Sequence, residues 1–477
     1  MAVSVGGIAD ELRLAVATLR ESVGLTDVPA IRIGVTGLSR SGKTVFITAL
    51  THALIEGHNL PLFRAFASGR VSRVRIVPQP DAGVPRFQVE DHVRAIIDER
   101  RWPDSTRAVS QMRLLVEYER DGSPRRRTLA VDIIDYPGEW LLDLSLLDKD
   151  FAAFSHTAME LAGLSGRAPL ARDWLSALSR IDSTKPLDEP RIAELHGMFV
   201  DYLRACRENE RAFSTLPPGR FLMPGDLEGS PALTFFPLPE LPTAAPRGSL
   251  ADVLSTRFEA YKDLVVRPFF RDHFVRLDRQ VVLVDALQAL NAGPEAVADV
   301  RRALADILTV FRIGRAGPIA RLFSRRIDKI VLAATKADHL HREDHDRLQA
   351  LVRSLVDDAI TAASDRDVEI VPAALAAVRA TREARSGEES GALPLIVGTP
   401  MAGERIGERT FDGSTETAVF PGDLPRDVHA ALRQDLTDTL RFVRFRPPRP
   451  KRNPGGAQEL PHIRLDRVVE ELLGDRL

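Results

Sequence analysis

Apolar and polar positions alternate with a period of two at Ile31, Ile33 and Val35, then switch to helical spacing at Val45, Phe46, Ala49, Leu50 and Leu54. Gly57 stands where that helix would be capped. Further strand-like runs cover Met112 to Tyr118, Leu129 to Ile134, Gln280 to Val284, Lys329 to Ala334 and Val368 to Pro372. Helix-period segments such as Trp174-Leu178-Ile181 and Ile192-Leu195-Phe199-Leu203 fall between them. The order predicts a parallel, doubly wound α/β sheet with helices on both faces. Two terminal helical stripes, Ile8 to Val23 and Ile463 to Leu473, are each expected to dock on this body.

The turn between the first strand and helix reads Gly37-Leu38-Ser39-Arg40-Ser41-Gly42-Lys43-Thr44, a full G-x-x-x-x-G-K-[ST] phosphate loop. Glycines at these places let successive amides turn inward on phosphates, and the helix N-terminus adds partial positive charge. Lys43 is expected to reach the β- and γ-phosphates and Thr44 to ligate Mg2+. A glycine turn that merely precedes Lys-Thr is the alternative, and the strand-loop-helix context argues against it.

Two loops follow that suit a γ-phosphate sensor. Thr106, in Trp102-Pro103-Asp104-Ser105-Thr106, precedes a strand where a switch threonine would close over magnesium and the γ-phosphate. The strand ending at Ile134 delivers Asp135-Tyr136-Pro137-Gly138-Glu139, a D-x-x-G in which Asp135 would hold magnesium and the Gly138 amide would bond the γ-phosphate. Later, Thr335-Lys336-Ala337-Asp338 follows a buried strand directly. A carboxylate at Asp338 can accept from both N1–H and the exocyclic amine of guanine, and adenine offers no such pair of donors. Lys336 would lay its stem along the ring, and the small residues Ala376 and Ala377 would stand behind the base.

Composition narrows the class without naming a partner. The chain has 477 residues, 44% hydrophobic and 28% charged, which is globular and large enough for several units. A formal charge of -2 gives no global case for nucleic acid or an anionic membrane. Cys206 is the single cysteine, so no intramolecular disulfide forms, consistent with the cytoplasm. No run of eighteen apolar residues suggests a membrane span.

The phosphate loop, Arg101-Trp102-Pro103 with Thr106, Asp135 to Trp140, and the ending Pro461-His462-Ile463-Arg464-Leu465-Asp466-Arg467 resemble the YcjX family of bacterial stress-associated GTPases over nearly the whole chain. The resemblance implies a P-loop NTPase with a Ras-like, GTP-binding core, and a role linked to envelope or heat stress. Asp338 lies 295 positions after Lys43, far more than a minimal Ras-like domain needs, so the core must be interrupted.

The expected organisation is an N-terminal helix over 1–28, the first part of the core over 29–140, and a mainly helical insertion over 141–270 closed by a proline-rich arm. The second part of the core spans 275–385, a β-rich insertion 390–425, and C-terminal helices with a basic linker 426–477. Because the helical insertion follows the D-x-x-G turn, it would either pass switch motion to a protein effector or serve as a rigid decoration. The basic stretch Arg441 to Arg452 suits anionic lipid or nucleic acid only weakly. A solvated linker with Phe442 and Phe445 packed is the expectation.

The expected reaction is attack of water on the γ-phosphate of GTP, giving GDP, with Lys43, Thr106, Gly138 and Glu139 at the reacting end. Glu139 stands where Ras-like enzymes place a glutamine, which favours slow turnover. A GTP-dependent binding module without turnover and a P-loop ATPase are the rival readings. Arg40 and Arg107 are further cations near the site, and His339, His341 and His345 are read as an acidic helix start rather than a metal site.

Overall fold

A computed structural model describes residues 28–38, 40–57, 59–104, 108–209, 211, 213–274, 276–313, 327–357, 368–387, 392–437, 439–449, 451–452, 456 and 458–477. The N-terminal helical stripe, Ser39, Thr106 and Arg107 lie outside the described residues.

Seven strands form the central sheet: β1 (Ala30–Gly37), β2 (Val71–Val77), β3 (Ser110–Arg120), β4 (Ser123–Asp135), β5 (Arg279–Val284), β6 (Lys329–Ala334) and β7 (Glu369–Ala374), in the order β2-β3-β4-β1-β5-β6-β7. Only β3 runs against its neighbours. β4, β1, β5, β6 and β7 are parallel. The connectivity reverses at β1, which lies between β4 and β5, and ligands of doubly wound sheets bind at such a reversal, beyond the carboxyl ends of the strands.

Strand residues divide by parity between two cores. Ile31, Ile33, Val35, Val281 and Leu283 pack with Phe46, Ile47 and Leu50 of α1 (Lys43–Glu56) and with Leu465, Val468 and Val469 of the C-terminal helix Leu465–Leu473. Val282, Val284, Ile330 and Leu332 face the opposite way, against a larger cluster. A parallel strand buried on both faces needs such a continuous apolar run. β2 was not foreseen because Ser72, Arg73 and Arg75 interrupt it; as an edge strand it is only partly covered.

Much of the larger cluster comes from the helices between the D-x-x-G turn and β5, namely α2 (Gly138–Asp143), α3 (Phe151–Ala162), α4 (Ala168–Leu178), α5 (Glu189–Glu208) and α6 (Leu250–Tyr261), and the rest from segments after β5 such as Val297 to Leu308 and Leu348 to Val356. Asp150, Asp188 and Ser249 cap α3, α5 and α6 by accepting from backbone amides. Trp174 stacks on Tyr202 with centroids 5.4 Å apart, and Phe154 on Phe258 at 5.1 Å. The proline-rich stretch, Pro217 to Pro246, is followed by α6. That helix continues through wide π turns at Lys262–Val266 and Phe270–Phe274 before β5 begins. Those turns flank Pro268, which lacks the amide a regular helix would use.

Strands β8 (Arg382–Arg385), β9 (Pro394–Gly398) and β12 (Thr417–Val419) make a second, antiparallel sheet in the order β12-β9-β8, with a hairpin of β10 (Arg405–Ile406) and β11 (Arg409–Thr410) beside it. β8 lies before the boundary expected from the turn residues. Ile396, Phe411 and Val419 bury a small core with Val443 and Phe445, so the basic stretch is tied to the small sheet by its apolar side chains. Among the described residues no helix is long and apolar enough to cross a membrane.

Candidate active site

β1 ends against β5, with Gly37 opposite Leu283 and the Leu38 amide donating to Leu283 O at 3.1 Å. The loop then curls back: the Ser41 amide donates to Leu38 O at 3.1 Å, and Arg40 and Gly42 both take left-handed conformations, with φ of 62° and 81°. Glycine makes the second of these easy. At Gly37 a Cβ would lie 2.1 Å from the Ser41 hydroxyl, so a side chain there would force that hydroxyl to move. α1 starts directly at Lys43.

The D-x-x-G turn closes on this loop. Val35 and Asp135 are register partners in adjacent parallel strands, which brings the ends of β1 and β4 side by side. Lys43 Nζ lies 2.8 Å from Asp135 Oδ1 and donates to Tyr136 O at 2.8 Å. A Cβ on Gly138 would sit 2.0 Å from Gly37 O, so the two glycines meet backbone to backbone. The Thr44 hydroxyl donates to Asp104 O at 3.3 Å, which brings the loop leading to Thr106 over the start of α1. Burial pushes the His92 imidazole below its ordinary value, opposed by the nearby carboxylates of Asp135 and Asp104.

At the other end, the Thr335 amide donates to Val284 O at 2.9 Å and Lys336 adopts φ 61°. Asp338 is buried, and its Oδ2 accepts from the Ala380 amide at 2.8 Å. The Lys336 ammonium is ion-paired with Asp285, a residue the sequence reading had only as the end of a strand. The Ala376 amide donates to Ile463 O at 3.1 Å, so that N–H is already used; Ala376 and Ala377 both line the cleft. His339, next to Asp338, packs edge-on against Phe445 with centroids 5.5 Å apart, and burial lowers its pKa.

A single cleft of about 1230 Å³ joins these parts. It runs from Lys43, Thr44, Gly138 and Glu139 to Thr335, Lys336 and Asp338. Contributors that escaped the sequence reading include Arg207 and Arg211, from the end of α5 and beyond it, and Met401, in the loop between β9 and β10. No local signal marks them, because they reach the cleft through tertiary packing. Phe445, expected only to pack, also lines the cleft with Asp338. Beside it, Trp102 Nε1 donates to Phe445 O at 2.6 Å and ties the loop before Thr106 to the C-terminal chain.

Thr44 Oγ1, next in the chain to Lys43, and the Asp135 carboxylate, which pairs with the Lys43 ammonium, are oxygen donors of the hard kind magnesium prefers.

Residues 31–477 match the family model described as "YcjX-like family, DUF463". The chain is also similar to two relatives, each named Ras-like GTPase YcjX. That of Escherichia coli (strain K12) is 38% identical over 464 residues, covering 94% of this chain and 96% of the relative. That of Shewanella oneidensis (strain MR-1) is 30% identical over 476 residues, covering 94% of each.

Proposed function

The chain belongs to the YcjX-like family, and from that premise we propose that it binds GTP with Mg2+ and hydrolyses it slowly to GDP and phosphate, as a cytoplasmic switch in a bacterial stress response. The observation that carries this reading is the single cleft that holds Lys43 and Gly138 at one end and the buried carboxylate of Asp338 at the other. Phosphate-loop amides and Lys43 bind the triphosphate. Asp338, held by the Ala380 amide, orients toward the donor edge of guanine. Gly138 meets the γ-phosphate with its amide, and Thr106 completes the switch.

Thr44 and Asp135, with Thr106, are the residues that would hold magnesium, which when bound offsets charge between the β- and γ-phosphates. The chain's own groups then do the remaining work. Lys43 stabilises negative charge, the switch turn excludes water from one side, and Glu139 stands at the cleft where a water would be oriented. The helical segment touches α2 directly, since Asp143 Oδ1 accepts from the Gly219 amide at 2.6 Å, a contact that suits a lever to an effector and a rigid decoration alike.

Nucleotide binding and phosphate release with GTP and ATP, for wild type and Lys43→Ala, test the reading. Activity with GTP alone, abolished by the substitution, is the expected result; preference for ATP would overturn it. The stress assignment rests on family resemblance. It predicts that a deletion strain sensitive to heat or envelope stress is rescued by wild type and not by Lys43→Ala.

A further inference from the structure

The glutamate after D-x-x-G poses an electrostatic problem. Glu139 is 12% exposed and lines the same cleft as the phosphate loop, so its carboxylate is a negative charge near the place where an anionic phosphate would bind. An anion so placed needs a compensating cation. Arg40, on the phosphate loop, is exposed, and Arg211 is engaged by Glu295 at 3.1 Å. Lys43 is held by Asp135. Arg207, in the last turn of α5, brings its Nε to 4.0 Å from Glu139 Oε1 and lines the same cleft.

The helical segment that carries Arg207 is fixed against the switch turn at several independent points. Gly219 lies so close that a Cβ would be 2.4 Å from Glu139 O. The Asp143 carboxylate accepts from the amides of Gly219 at 2.6 Å and Arg220 at 3.3 Å, and the Arg220 guanidinium lies 3.4 Å from the centroid of the Trp140 ring. These contacts hold the turn at Gly219 and Arg220, which belongs to the same segment as α5, against the switch turn.

We propose that Arg207 is a positioning residue for GTP hydrolysis, supplied in cis by the helical segment, which acts through Glu139. Its charge lets the Glu139 carboxylate remain beside the phosphates and turns it toward the attacking water. The proposal rests on the hydrolytic reading above. It gives the segment a role in turnover, distinct from any contact with an effector.

The test compares GTP affinity, turnover and thermal stability for wild type, Arg207→Ala, Arg207→Gln, Arg207→Lys, Glu139→Gln and the double variant Arg207→Ala/Glu139→Gln. Arg207→Ala and Arg207→Gln should lower kcat about 10- to 100-fold, the cost of misplacing a group that orients a reactant, with GTP affinity retained. Arg207→Lys should recover part of the loss. In the Glu139→Gln background, removal of Arg207 should have little further effect, because no carboxylate is left to hold. Unchanged kcat in a folded Arg207→Gln protein would overturn the role, as would equal losses in both backgrounds. Wild-type protein that releases no phosphate from GTP would overturn the hydrolytic reading as well, whereas active wild type with indifferent Arg207 variants overturns the Arg207 role alone.

Discussion

Lys43 and Asp135 form a buried ion pair, with Nζ 2.8 Å from Oδ1 and side chains 10% and 2% exposed. The lysine of the phosphate loop and the aspartate of D-x-x-G are thus in direct contact. Lys43→Ala should therefore do more than abolish GTP binding. It leaves a carboxylate under cover without its cation, at a cost of about 3 kcal/mol. Urea unfolding without added nucleotide should show the loss, and Asp135→Asn added to Lys43→Ala should recover part of the stability and none of the binding. Wild-type stability of Lys43→Ala would show that the pair contributes nothing to the fold.

Asp338→Asn should exchange guanine preference for xanthine. The Ala380 amide, 2.8 Å from Oδ2, would select the asparagine rotamer that keeps its oxygen there and turns its amino group toward the base. That group can donate to the second oxygen of xanthine and cannot accept from guanine. GTP affinity should fall by about 1–3 kcal/mol, the discrimination a bidentate contact to a base edge supplies. Competition between GTP and XTP reads the change directly, and unaltered GTP affinity would remove Asp338 from the base site.

The parts legible in the sequence are those with a local period or spacing. Val281 and Leu283 on one face and Val282 and Val284 on the other are an apolar run that only a strand covered on both sides tolerates. Gly37 and Gly42 mark the glycine-rich loop because a side chain at the first would crowd the Ser41 hydroxyl and a left-handed φ favours glycine at the second. What stayed hidden depends on packing between distant segments. Arg207 meets Glu139 across 68 positions, Ile463 takes the Ala376 amide, and Lys336 finds Asp285 instead of standing free. The continuous helix around Pro268 was masked because proline ordinarily ends a helix, and here π turns absorb it.

Gly138 and Gly219 mark two backbone contacts that a methyl group would break. On Gly138 it would lie 2.0 Å from Gly37 O, and on Gly219 2.4 Å from Glu139 O. Gly138→Ala should push the switch turn off the phosphate loop and reduce phosphate release at least about tenfold, since small displacements of catalytic geometry are costly. Gly219→Ala should leave the phosphate loop untouched yet separate the helical segment from Glu139, lowering kcat with GTP affinity retained. Loss of GTP binding in Gly219→Ala would instead place that contact in the binding machinery.

Asp143 gives the contact between α2 and the helical segment a pH dependence. Burial pushes its carboxyl up from 3.8 to about 6, against the opposing effects of the Tyr261 hydroxyl and the Gly219 and Arg220 amides, which favour the anion. The fold therefore holds this proton more tightly than the unfolded chain does. The resulting stabilisation is complete below about 4 and is lost as pH rises through about 6. The difference is worth about 3 kcal/mol. Asp143→Asn cannot titrate and loses hydrogen bonds by an amount that does not vary with pH. Wild type should thus lose about that much unfolding free energy relative to Asp143→Asn between pH 4 and pH 7. A constant difference across that range would mean that Asp143 stays ionised in the fold, with its three donors and the nearby Arg220 guanidinium outweighing burial.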